Sequence, residues 1–281
     1  MEWVVRLKRN CMTKTDQKWD YLRVDMPGAR YSHGGNQMWW AEKKENVSKT
    51  FARIGCGVIA MIDLEVFLCM QRKGYSIPIS EKDQAELVSS CFWKPMGNQA
   101  DITKHDYENL VDQAYLERYR IGNDPINRMV GLYPWKMEKG LRRFLKWNDC
   151  ERKQVKWAPF WKRGKEQKKL VLQAVKDMLG DGFPVVCSYH TFQKKHHLVL
   201  HKSMEEAAKT DQNGFDEGGN ALVGKSSCVS IGSHYMTIIG ILKDDEGHEY
   251  LQFVSWGRIY YASFHAYARD LNYFTNILYI H

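Results

Sequence analysis

The sequence predicts an α+β chain, because its periodicity changes character near residue 180. Before that point, apolar residues recur at helical spacing between capping residues. After it, short β-branched or aromatic runs lie between turn residues. A chain of 281 residues can bury a sizeable core as one domain or as two lobes sharing an interface.

Up to about residue 50 the chain is polar and irregular, with turn material in "MPGARYSHGGNQ", and reads as a wrapping arm. From Gly57 to about Met70, Val58, Ile59, Met61, Ile62, Leu64, Val66, Phe67 and Leu68 occupy nearly every angle of a helical wheel, which predicts a helix buried all round. Ser80 with Asp83 resembles a capping box opening a helix through about Phe92, and Thr103 with Asp106 opens another. Tyr107, Leu110, Val111, Ala114 and Tyr115 form one face of that second helix. Leu141, Phe144 and Leu145 predict a further helix, and Leu170, Val171, Ala174, Val175 and Met178 another that stops near Gly180.

Beyond "GDGFP" the runs "PVVCSYH", "HHLVLH", "HYMTIIGIL", "EYLQFVSW" and "RIYYAS" read as strands. "KDDEGHE" is a hairpin connection, making its two flanking strands antiparallel neighbours. "DQNGFDEGGNALVGKSS" lacks the spacing and terminal Glu of a calcium-binding loop and reads as a long polar connection.

No apolar run reaches the ~18 residues of a membrane span. The N-terminal "MEWVVRLKRNCMTKTD" lacks the apolar core of a secretory signal, which predicts cytoplasmic residence. Seven scattered cysteines without a C-x-x-C pair argue against a disulfide framework or a zinc ribbon, so each reads as a free thiol. No cofactor or metal motif is present. His197 and His201 share a strand face in "KKHHLVLHK", but a third zinc ligand is missing, so they read as surface imidazoles.

The net charge of +8 is concentrated in residues 136–169, which hold 13 Lys or Arg against 4 Asp or Glu. Trp135, Trp147, Trp157, Phe160 and Trp161 lie in or beside this block. The interleaving suits either a solvated helix face with aromatic anchors or the charge and stacking surface of an anionic partner.

Two residues carry candidate chemistry. Cys56 stands between Gly55 and Gly57 at the head of the apolar helix, where amide donors and the positive end of the helix dipole would favour a thiolate. The competing reading is one more buried thiol. His234 opens the apolar strand "HYMTIIGIL" after a Gly-Ser turn, where a base would be held in a fixed direction.

The chain order "GCG" before a buried helix, "DGFPVVCS", "HYMTIIGI" and then "VSWG" resembles the papain-like cysteine peptidases. It is especially similar to their short bacterial, bacteriocin-leader-peptidase-like relatives. The similarity covers about residues 34–70 and 165–263 and leaves the basic middle region unmatched. It implies a single papain-like domain over 1–281. A mainly helical lobe (1–180) would carry Cys56 and a mainly antiparallel sheet lobe (181–281) would carry His234, with a cleft between them.

Cys56 would then attack a peptide or isopeptide carbonyl, and His234 would take the thiol proton and return it to the leaving amine. Two positions depart from the family pattern. The usual imidazole-orienting Asn is Val254, with Ser255 the nearest polar substitute. The usual oxyanion Gln is Thr50, with Asn36 and Gln37 of "GGNQ" as alternative amides beside the Cys56 N–H.

The implied activity is a cysteine peptidase or related thiol hydrolase acting on a peptide or protein. A different class is a binding module on the same scaffold, impaired in catalysis, that holds an anionic partner at 135–169.

Overall fold

The protein, described here from a computed structural model, is α+β. The structure describes residues 21–28, 30–42, 51–71, 101–121, 131–148, 153–158, 160, 164–191, 196–212 and 228–281. The helix expected at Ser80–Phe92, most of the polar loop at 211–227, and Thr50 and Trp161 lie outside these residues.

The chain divides into two compact units. The mainly helical one comprises Lys18–Val155, with Ser255–Arg258 and Ile280–His281 returning to it. Its long helix α1 (Cys56–Gln71) contacts α2 (Lys104–Glu117) and α3 (Pro134–Trp147). Thr103 caps α2 as its sequence predicts, its hydroxyl accepting the Asp106 N–H at 3.1 Å. Pro134 opens α3, where its missing N–H leaves no helical bond unmade. Met137, Leu141, Phe144 and Leu145 form the buried face of α3.

Within the segment expected to be a wrapping arm, the described residues 21–42 hold two strands of a sheet. β1 (Arg23–Met26) pairs antiparallel with β2 (Arg30–His33) and parallel with β3 (Asp101–Thr103). The strands are short and largely polar, so alternation in the sequence is faint; Val24 of β1 and Leu22 just before it are completely buried.

The sheet-bearing unit comprises Lys156–Val254 and Ile259–Tyr279. Its six strands run in the order β5 (Val185–His190), β8 (Ser233–Lys243), β9 (Glu249–Ser255), β10 (Arg258–Ser263), β6 (Leu198–His201) and β7 (Cys228–Ile231). β8 and β9 are antiparallel neighbours, as the hairpin sequence predicts, with Ile238 opposite Phe253 and Thr237 opposite Val254.

Helix α4 (Gly164–Gly180) packs on β5 and β8 and so belongs to this unit. The sequence-based division at residue 180 is corrected on that point, because Val171, Ala174, Val175 and Met178 bury their face beside the sheet. A shorter helix, α5 (Met204–Gln212), lies against β6, and β4 (Val155–Trp157) pairs with β11 (Leu278–Ile280). Among the described residues no helix is long and apolar enough to cross a membrane.

Candidate functional site

Helix α1 is buried from Gly57 to Cys69, as its all-round apolar sequence predicts. From Cys56 to Cys69 every residue but Cys56 is buried. The chain is already helical at Phe51–Ile54, and the Gly55 N–H donates to the Phe51 carbonyl at 2.7 Å while Ile59 N–H donates to Gly55 at 3.0 Å. The expectation of a helix end aimed at the thiol is therefore corrected. With a helical turn ahead of Gly55, the positive end of the dipole lies upstream of Cys56, and the bond ladder competes for the Cys56 amide.

The other described cysteines differ in setting. Cys187 and Cys69 are buried, which raises both thiols far above the ordinary range. Cys228 is partly exposed, and burial with Glu206 raises it too, against Lys202. All four described cysteines are free thiols.

The loop "GGNQ" is fixed at each residue. Gly34 N–H donates to the Leu22 carbonyl at 2.9 Å, and the Ser32 hydroxyl donates to the Gly34 carbonyl at 2.8 Å. Gly35 N–H donates to Asp63 Oδ1 at 2.9 Å, and Asp63 lies on α1 two turns beyond Cys56. The same Oδ1 accepts the Tyr107 hydroxyl at 2.6 Å. A side chain at either glycine has no room: a Cβ at Gly34 would stand 2.4 Å from Asp63 Oδ2, and one at Gly35 2.2 Å from the Tyr107 hydroxyl.

The two candidate amides beyond the glycines differ. Gln37 is buried and its Nε2 donates to the Ala52 carbonyl at 2.9 Å, which ties the loop to the turn before Cys56. Asn36 is half-buried, and its Oδ1 accepts the Met38 N–H at 3.0 Å, which leaves Nδ2 as the donor atom of its carboxamide.

The "SWG" motif forms a two-residue hairpin turn between β9 and β10, with Trp256 at φ 47° and Gly257 at φ 72°, a pair matching a type I′ turn. Its tip lies against β2: the His33 N–H donates to the Gly257 carbonyl at 2.9 Å, and a Cβ on Gly257 would fall 2.0 Å from Ser32 Oγ. Asn36 Cβ is 3.8 Å from the same position.

His234 is buried near the start of β8, opposite Tyr189 of β5. Burial pushes its imidazole down to about 3, so it is neutral at ordinary pH. Val254 pairs with Thr237, three residues from His234, and strand alternation therefore turns Val254 to the opposite face from the imidazole. The next residue, Ser255, alternates back; it is buried.

Of the five candidates, Asn36, Gln37, Cys56 and Ser255 fall within the helical unit and His234 within the sheet unit. The expectation of a surface imidazole at His201 is corrected, since it is buried on β6 opposite Cys228. His197 stays half-exposed, with Nδ1 3.3 Å from Ser230 Oγ. Among the described residues no group of three or more His, Cys, Asp or Glu is placed to hold a metal ion.

In the basic region, Trp135 and Trp147 are half exposed, but Trp157 is a core residue whose indole donates to the Tyr273 carbonyl at 2.7 Å. Sequence reasoning passed over two carboxylates inside the apolar helix. Besides Asp63, Glu65 is fully buried, paired with Arg118 at 2.7 Å and accepting the Tyr119 hydroxyl at 2.5 Å. The tyrosines and arginine on and just after α2 and the glycine doublet were their available signals. No family model matches the chain, and no curated protein or solved structure matches it either.

Proposed function

We propose that the chain is a thiol-dependent amide or isopeptide hydrolase of papain-like design, a cysteine peptidase acting on a peptide or protein, with Cys56 as nucleophile and His234 as base. The observation that supports this most is the setting of Cys56. It is the one half-buried residue of the otherwise buried stretch 56–69, whereas packing thiols such as Cys69 and Cys187 are buried. A neutral His234 imidazole carries the lone pair that a base needs, and burial makes it a weak base whose protonated form must be stabilised by the thiolate it creates. The sulfur then attacks the carbonyl carbon, the imidazolium protonates the leaving amine, and water cleaves the thioester and restores the thiol.

Asn36 is the oxyanion donor in this reading, because its Oδ1 is the atom engaged by the loop backbone, while the Gln37 Nε2 already donates to Ala52. Ser255 is the side-chain orienter, favoured by strand alternation. The test is to acetylate the protein with p-nitrophenyl acetate and map the adduct by mass spectrometry. A hydroxylamine-labile acetyl on Cys56 is the expected result. Acetylation confined to lysines, with no thioester at Cys56, contradicts the reading.

A binding role remains supported by one specific feature. Trp135, Lys139, Arg142, Arg143 and Lys146 are exposed at helical spacing on α3, and a cationic face of this kind suits an anionic polymer. Retention on immobilised heparin that weakens steeply with salt, and weakens further in a Lys139→Ala/Arg143→Ala/Lys146→Ala variant, is the expected result. Salt-independent retention contradicts it.

A further inference from the structure

Asp63 is a carboxyl in the middle of the apolar helix that carries Cys56, and the reaction just described gives it no part. Its surroundings are specific. Oδ1 receives both the Gly35 N–H and the Tyr107 hydroxyl, while Oδ2 occupies the space beside Gly34. Tyr107 is itself fully buried, and Trp39 packs edge-on against its ring at 5.9 Å.

The loop is thus pressed at two successive residues onto a carboxyl from α1 and a hydroxyl from α2. A buried polar cluster of this kind is geometrically demanding, since each member satisfies the others and any displacement leaves one unpaired. Asn36 follows Gly35 directly. From Asp63 back to Cys56 is seven residues, two turns or about 10 Å of rigid helix on nearly the same face.

We infer that Asp63, braced by Tyr107, is a positioning residue that locks the Gly34–Gln37 loop to the Cys56 helix and thereby sets the Asn36 carboxamide as oxyanion donor. This rests on the thiol-hydrolase reading and adds to it the device that holds the donor in place. The loop needs the acceptor oxygen rather than the negative charge, and burial favours the neutral carboxyl at this position. Asp63→Asn is therefore the conservative replacement, keeping an acceptor where Oδ1 stands.

Two reagents separate positioning from packing. Iodoacetamide alkylates a thiol by displacement at a saturated carbon and forms no oxyanion. p-Nitrophenyl acetate acylates it through a tetrahedral oxyanion and expels p-nitrophenolate. The ratio of the two rates at Cys56, followed by peptide mapping, reports the donor and not the thiol.

Asp63→Ala is expected to lower that ratio ~10-fold or more, the loss usual for an oxyanion donor being 10²–10³ in rate. Alkylation should stay within about 2-fold, and Asp63→Asn should recover most of the ratio. Gly35→Ala, which drives a methyl into the Tyr107 hydroxyl while leaving Asp63 intact, is expected to reproduce the loss and covers the case in which Asp63→Ala fails to fold. Equal slowing of both reactions, or an unchanged ratio in folded Asp63→Ala or Gly35→Ala, overturns the inference and leaves the nucleophile standing. A wild-type Cys56 inert to both reagents removes the thiol-hydrolase reading itself.

Discussion

Tyr107 donates its hydroxyl to Asp63 Oδ1 at 2.6 Å, both groups fully out of water, and with the Gly35 N–H this satisfies a carboxyl that apolar surroundings would otherwise penalise. The glycine doublet of "GGNQ" follows from it, since the carboxyl and the hydroxyl fill the volume in which side chains would stand.

Burial raises Asp63 from 3.8 to about 7, with its two hydrogen bonds opposing the shift. The folded state therefore binds the proton more tightly than the unfolded state. The stability this contributes is full below about pH 4 and is lost as pH rises through 7, by about 4 kcal/mol in all. Asp63→Asn cannot ionise. Urea midpoints at pH 4.5 and 7.5 should show the wild type losing stability relative to Asp63→Asn as pH rises, and parallel curves would refute the shift.

His234 works in the opposite sense. Burial depresses its imidazole from 6.5 to about 3, so the unfolded chain takes the proton first. Its contribution is full above pH 6.5 and is lost as pH falls towards 3, by about 5 kcal/mol. His234→Gln should resist acid better, with its unfolding midpoint displaced to lower pH by circular dichroism. An unchanged acid midpoint would mean that the imidazole reaches solvent.

The Arg118–Glu65 pair tests the interior of the helical unit. Arg118→Leu leaves Glu65 buried with the Tyr119 hydroxyl as its polar partner among the described residues and should cost about 3–5 kcal/mol in chemical denaturation. Replacing both partners, Arg118→Leu with Glu65→Leu, should recover much of that loss. A double variant as unstable as the sum of the singles would show that the two groups do not act as a pair.

Gly257→Ala probes the hairpin tip. It forces a side chain into the left-handed region at φ 72° and against Ser32 Oγ, for a loss of about 1–3 kcal/mol. Ser32→Ala in the same chain should relieve the contact but not the backbone strain. A thermal midpoint unchanged from wild type would contradict the turn geometry.

The sheet was legible in sequence because β5, β8, β9 and β10 are short β-branched and aromatic runs between turns, and α2 because Thr103 and Asp106 sit at the cap spacing. β1 and β2 were not, since their polar residues show little alternation. Asp63 and Glu65 were hidden for another reason. Each is a single carboxylate in an apolar run whose partners stand 44 and 54 residues away, Tyr107 and Tyr119, and only the fold joins them. Cys56 and His234 could be singled out from their flanking residues, but the helical turn ahead of Cys56 could not, because "FARI" carries no start signal.

The central claim is that Cys56 is a nucleophile activated by His234. Its most direct test is the rate of iodoacetamide labelling at each cysteine near neutral pH, resolved by peptide mapping, in the wild type and in His234→Ala. Cys56 should label at least ~10-fold faster than Cys228 and Cys150, because the thiolate is the reactive form, and should lose that advantage in the variant. A Cys56 that labels no faster than Cys228, or one whose rate ignores His234, would contradict it.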